Sequence, residues 1–200
     1  MLDQENFKGN ERQLKLLLKA VREENISIWN SFAKSSGKYF VANLQGINLS
    51  YLNLKEINLK GANLVESNLE GCNLTFANLE RTKLMNANLT QTNLTRANIT
   101  NAYLKDANLE KAIATEANFS NSDLTRTNLN NANLENANIL KTNLKFASLQ
   151  QTKMKGVKKS KSTKIILKSN SRKLTEDDKK KLSPWKIAKQ EKNIQIETVN

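Results

Sequence analysis

The sequence predicts an all-β solenoid of stacked square coils, and three observations predict it. From Ala42 to Gly156 the chain divides into 23 consecutive pentapeptides with no insertion or deletion. The third position is Leu in 18 of the 23, the exceptions being Ile99, Ala114, Phe119, Ile139 and Met154. The first position holds a small or modest side chain (Ala42, Ala62, Cys72, Ala77, Thr82, Ala87), with the larger Ile47, Leu52 and Ile57 only in the opening turns. Between the two, Asn fills 17 of the 23 places.

A period of five fits neither regular element. On an α-helix each step of five turns about 140°, so the leucines would spiral round the rod. On a straight strand an odd step makes successive leucines alternate faces. The pattern closes when each pentapeptide is one side of a square, with positions one and three pointing inward and the other three outward. Four sides then make a coil, and coils stack at roughly the 4.8 Å of paired strands. Such a rod is quasi-one-dimensional, each repeat contacting only its neighbours.

The stretch "GANLVESNLEGCNLTFANLERTKLMNANLTQTNLTRANIT", residues 61–100, resembles the pentapeptide-repeat family, whose consensus is Ala, Asn or Asp, Leu and two variable residues. The resemblance covers residues 42–156 and implies a right-handed quadrilateral β-helix of the bacterial type. Departures at the Asn position (Lys83, Tyr103, Ile113, Asp123, Ser148, Lys153) fall on an outward slot and concern the surface rather than the fold.

One lapse falls inside. Ala114 and Phe119 occupy consecutive Leu slots, with Ile113 in an Asn slot. Truncating a core Leu to Ala costs about 2–5 kcal/mol unless a neighbour fills the void. Phe119, one side further round the coil, is expected to supply that volume. The rival expectation is a binding notch at Ile113 and Ala114.

The flanks differ in texture. Residues 1–36 place Leu14, Leu17, Leu18, Val21, Ile28 and Phe32 at helical spacing, with Asn10 as a cap, a break near Asn25 and Gly37 as a stop. This reads as a short α-helical cap, because a solenoid's first coil has no partner above it. Helical lead-ins bearing a Trp-Asn pair, here Trp29 and Asn30, also occur in the family. The alternative is a helix for a membrane surface or a partner. A unit in phase with the repeat, Gly37 to Val41 with Tyr39 at its centre, is expected to open the array, so that the solenoid spans 37–156.

Residues 157–200 form a basic tail, with 13 Lys or Arg against 5 acids, whereas residues 42–156 have 12 against 9. The tail is expected to be partly disordered or helical, with Thr175 and Asp178 as a capping box and Ser183-Pro184 opening a helix. Its apolar residues Ile165, Ile166, Leu167, Leu182, Trp185 and Ile187 could cover the last coil. Lys158, Lys159, Lys161, Lys164, Arg172, Lys173, Lys179, Lys180 and Lys181 are the candidate contacts for a polyanion or an anionic surface, bound weakly and without sequence preference.

Composition excludes most catalytic machinery. The chain has no His, the usual general base and commonest metal ligand, and one Cys, too few for a zinc site. No Gly-rich phosphate loop occurs; Gly46, Gly61, Gly71 and Gly156 each end a pentapeptide, where they ease a corner. No catalytic residue, cofactor or metal is therefore expected. No run of about 18 apolar residues spans a membrane, and the acidic start MLDQENFKGNERQ lacks a signal-type apolar core. Cys72, in an inward slot, suits a reducing cytoplasm.

What remains is binding. Aligning outward positions by 20 places Val65 against Met85, with Lys83 and Tyr103 on the same side, a candidate patch for a protein partner. The expected function is a protein-interaction scaffold or adaptor, monomeric or an end-to-end homodimer, with its partner unidentified. DNA mimicry of the quinolone-resistance type needs dense acidic charge, which these columns lack. A Thr column, Thr75, Thr95 and Thr115, is bounded by Lys55 and Glu135 and does not extend to a lattice for ice or polysaccharide.

Overall fold

A computed structural model describes residues 4–37 and 39–160 with their side chains, together with the backbone of Lys164–Lys168, Trp185–Gln190 and Asn193–Thr198. The square coil appears as a parallel ladder in which each rung joins residues 20 apart, from Asn43 with Asn63 to Asn138 with Lys158. Four sides follow: side one starts at residues 42, 62, 82, 102, 122 and 142, and sides two, three and four start five, ten and fifteen residues later.

Each corner is a turn. The N–H of position one donates to the carbonyl of the preceding Leu, as from Ala62 to Leu59 at 2.9 Å and from Ala107 to Leu104 at 3.0 Å. The last residue of every pentapeptide from Gly46 to Gly156 has positive φ, between 56° and 71°. That is the third position of a type II turn, which favours Gly and Asn. Most corners are filled instead by residues such as Arg81, Gln91 and Lys111, so stacking supports a conformation that an isolated turn would disfavour. Glycine is required at Gly46 for a second reason: a Cβ there would meet the backbone carbonyl of Asn6.

The inward positions form the core. The Leu slots from Leu44 to Leu144 are fully buried, as are Ala62, Cys72, Ala77 and the other small residues. Hydroxyls in the small slot turn inward yet find carbonyls on the preceding coil: Thr92 Oγ1 donates to Leu69 at 2.8 Å and Thr127 Oγ1 to Leu104 at 2.9 Å. Ser67 is the exception, its Oγ buried without a partner. Ala114 and Phe119 are both fully buried, so the lapse in the Leu column lies inside the core and no opening reaches Ala114. Only Ile113 reaches solvent, at 45% exposure.

Two helices, α1 (Glu11–Arg22) and α2 (Ile26–Ser35), precede the coils, with Asn10 and Asn25 as their N-caps. Leu17, Ala20 and Trp29 join the solenoid core. The open edge of the first coil is closed by side-chain amides: Gln13 Oε1 accepts from the Asn43 N–H at 2.7 Å, Gln4 makes two bonds to Asn48, and Asn30 accepts from Asn58. Tyr39 departs from expectation. It is 88% exposed, and the ladder begins at Asn43, because the chain between α2 and the first coil runs outside the square.

The tail also departs from expectation. Where helix or disorder was expected, β1 (Asn143–Lys145) pairs in parallel with β2 (Lys164–Lys168), and a sheet continues in the order β1-β2-β4-β3 with β3 at Trp185–Gln190 and β4 at Asn193–Thr198. Pro184 precedes a strand rather than a helix. Without the tail the outer edge of β1 would be open, and β-branched residues in the tail suit the strand β2 laid along it. Thr175, Asp178 and Leu182 lie outside the described residues.

Candidate interaction face

The surface is organised by the Asn slot. Asn Oδ1 accepts from the backbone N–H two residues on, as at Asn68 with Glu70 and at Asn138 with Leu140, both 3.1 Å. Asn amides also bridge rungs, from Asn63 Nδ2 to Asn43 at 3.1 Å and from Asn73 to Asn53 at 3.0 Å. A two-atom arm ending in an acceptor is what this closure needs. The slot was read from sequence as simply outward; its recurrence two residues before a turn amide was the available signal. Asp123 keeps the bond, accepting from the Thr125 N–H at 3.0 Å.

On side one the closure fails twice in succession. Lys83 has no acceptor and Tyr103 carries its oxygen beyond a ring, so the N–H groups of Met85 and Lys105 receive no cap from that slot. Val65 below is capped by Asn63 at 3.3 Å and Thr125 above by Asp123. Among the described residues no other side has two consecutive lapses; on side three, Ile113 and Lys153 are separated by the capped rung at Asn133.

The structure brings the four patch residues together here. Lys83 and Tyr103 are ladder partners, and Val65 and Met85 stand one rung apart. Val65 and Met85 are half-buried, Lys83 is exposed and Tyr103 is 50% exposed. The acids of this side near them are engaged: Glu66 with Lys8 at 3.0 Å, and Asp106 with Arg126, whose guanidinium that carboxylate drives further up. The cations Lys83 and Lys105 have no ion pair among the described residues.

Other surface features are accounted for locally. Arg96 lies 5.7 Å from the Phe76 ring centroid and pairs with Glu116 at 2.8 Å. Hydroxyls of Thr75 and Thr95 turn to Asn73 and Asn93, at 2.6 and 2.7 Å, rather than outward as a lattice. Among the tail candidates, Lys158 is exposed at the last rung, while burial pushes the Lys159 ammonium below the usual lysine range. Lys164 lies in β2; Lys161, Arg172, Lys173, Lys179, Lys180 and Lys181 lie outside the described residues. No cluster of His, Cys, Asp or Glu fit for a metal occurs among the described residues, and no helix there is long and apolar enough to cross a membrane.

Comparison with known proteins supports the repeat. The profile of the family described as pentapeptide repeats matches in 8 copies, within residues 42–75, 53–91, 72–110, 92–131, 102–139 and 117–156. No curated protein matches the chain. Among solved structures it is similar to HetL, a pentapeptide repeat protein involved in heterocyst differentiation regulation from the cyanobacterium Nostoc sp. strain PCC 7120, at 28% identity and a TM-score of 0.44 over 58% of this chain and 59% of HetL. It is also similar to a trypsin-treated QnrB1, a plasmid-mediated fluoroquinolone resistance protein, at 19% identity and a TM-score of 0.53 over 58% of this chain and 62% of that one. The chain thus spans about six tenths of the length of both. The likeness to QnrB1 is one of fold.

Proposed function

The chain belongs to the pentapeptide repeat family, and from that premise we propose that it is a non-catalytic scaffold that binds a protein partner through side one of its solenoid. Members of the family fold as right-handed quadrilateral β-helices and are generally structural or interaction proteins without enzymatic activity. The observation that carries the reading is the cluster of Val65, Met85 and Tyr103, flanked by Lys83, on adjacent rungs of side one, whereas Tyr51, Phe76, Ile113 and Leu140 are exposed apolar residues spread over the other three sides. A stacked apolar cluster rimmed by polar groups marks a contact site more than singly scattered residues do.

Catalysis is disfavoured by the absence of His and by the local pairing of most carboxylates. Mimicry of DNA is disfavoured by charge, because residues 42–156 hold 12 bases against 9 acids. The fold shared with QnrB1 therefore carries no expectation of gyrase inhibition or protection. The test is affinity capture with the full chain, Met85→Asp, Gln91→Glu on side two, and a chain ending at Gly156. A partner retained by the full chain and Gln91→Glu but lost by Met85→Asp supports the reading; equal retention by Met85→Asp overturns it. A second reading, polyanion binding by the tail, draws support from the +8 excess of residues 157–200. It requires DNA binding that falls steeply with salt and disappears in the shortened chain.

A further inference from the structure

We propose that the two uncapped rungs of side one form a receptor for a carboxylate borne by the partner protein beside an apolar side chain. The inference rests on the scaffold reading and adds what that scaffold recognises. On most rungs of the solenoid an Asn or Asp oxygen sits over the N–H two residues ahead, as Asn88 does over Thr90 at 3.1 Å and Asn118 over Ser120 at 3.1 Å. At Lys83 and Tyr103 that oxygen is missing on adjacent rungs. Two backbone donors, the N–H groups of Met85 and Lys105, therefore stand about one strand spacing, roughly 4.8 Å, apart with their acceptors removed. The two oxygens of one carboxylate can each reach one such donor.

Charge and shape point to the same occupant. Lys83 replaces an acceptor with a cation, and Lys105 adds another on the next rung, while the nearby acids Glu66 and Asp106 are held by Lys8 and Arg126. An incoming anion thus meets two available cations and two donors, while Asp123, on the rung next to Tyr103, is turned to the Thr125 N–H and hydroxyl. Tyr103, two residues before Lys105, and Met85, which carries one of the donors, supply an apolar wall beside them. A neutral peptide would use the wall and leave the cations unanswered. Duplex nucleic acid is less suited, because Asp123 and the Asp106–Arg126 pair interrupt the basic charge along the column, where a run of phosphates needs it continuous.

The experiment uses the full chain and two acetylated, amidated peptides, Gly-Phe-Glu-Leu-Gly and its Gln counterpart. The Glu peptide is expected to bind at least about ten-fold more tightly, since hydrogen bonds to charged groups exceed neutral ones by that order. Its binding shifts the Met85 and Lys105 amide resonances downfield, with other rungs still. Two variants separate charge from donor. Lys83→Ala removes the cation and leaves the Met85 N–H open, whereas Lys83→Asn removes the same cation and restores the cap. The Asn variant, matching the other rungs, is expected to fold at least as well as the parent and to bind several-fold more weakly than the Ala variant. Equal affinity for the Glu and Gln peptides, no binding of either, unmoved Met85 and Lys105 amides, or equal binding by the Asn and Ala variants overturns the proposal. Capture of a partner by the patch without preference for Glu would sink the carboxylate receptor and leave the scaffold reading standing.

Discussion

Asn30 engages Asn58 as a strand backbone would: its Oδ1 accepts from the Asn58 N–H at 2.8 Å, while its Nδ2 donates to the neighbouring Glu56 carbonyl at 3.0 Å. Beside it, the Trp29 indole donates to the Asn58 carbonyl at 2.8 Å. These bonds satisfy an edge that would otherwise face water or pair with another chain. They also occupy the N-terminal end, which disfavours end-to-end dimerisation there. Asn30→Ala is expected to lower stability by about 1–3 kcal/mol, through two lost bonds that leave the Asn58 N–H without its acceptor and the Glu56 carbonyl without its donor. Denaturant unfolding measures the loss, and hydrogen exchange should show the Asn58 amide opening before that of Asn98. Unchanged exchange at Asn58 contradicts the capping role.

The Ala114 and Phe119 pair tests whether the broken Leu column is a repacking. Ala114→Leu overfills a closed core and is expected to cost about 1–3 kcal/mol. Phe119→Leu removes volume and costs about 1–2 kcal/mol. The double variant restores the repeat and should be less destabilised than the sum by about 1 kcal/mol, the signature of coupled neighbours. Additive costs would show that Phe119 does not fill the space Ala114 leaves.

Buried hydroxyls should give opposite signs. Thr127→Val loses the bond to Leu104 and is expected to lower stability by about 1 kcal/mol. Ser67→Ala removes a buried oxygen without a partner and is expected to raise it by about 0.5–2 kcal/mol. Thermal unfolding of the two variants decides; a destabilised Ser67→Ala would mean that the hydroxyl is satisfied in solution.

The period of five was enough to read a coil with every Leu inside, because a helix or a flat strand would turn half of them to water. The 20-residue rungs show its four sides. The inward slots followed, Cys72 among them, and so did the helical cap, where Leu17 and Trp29 keep a helical beat. The Asn slot was legible only as outward, since its function is a bond to a neighbour's N–H and leaves no mark on hydropathy. Gln4, Gln13 and Asn30 were illegible for a related reason: an amide that completes a distant rung looks like any polar surface residue. The strands β2, β3 and β4 were masked by lysine, whose charges suggest a solvated coil even where alternate residues such as Ile194 and Ile196 permit a strand. The patch residues could be aligned by counting twenties, but the two missing caps beneath Lys83 and Tyr103 required the hydrogen bonds.

Cys72 gives a pH test. Burial pushes its thiol up to about 12, against a smaller opposing effect from nearby backbone hydrogen bonds. The folded state therefore holds the protonated form, and its stabilising effect is complete below the ordinary thiol pKa of about 8.5. Stability falls as pH rises from there toward about 12, because the unfolded chain loses the proton first. Native protein at pH 8 should not react with a disulfide reagent, and one thiol should appear on addition of denaturant. Prompt reaction of the native protein would place Cys72 at the surface.

Side one, and not the solenoid surface at large, is proposed to meet a partner. Photo-crosslinking in cells of the source organism tests it most directly, with a benzophenone amino acid placed at Tyr103 in one variant and at Gln91 on side two in another. A discrete crosslinked species is expected from position 103, abolished by Met85→Asp in the same chain, and none from position 91. Crosslinking of equal yield from both positions, or from position 91 alone, would contradict it.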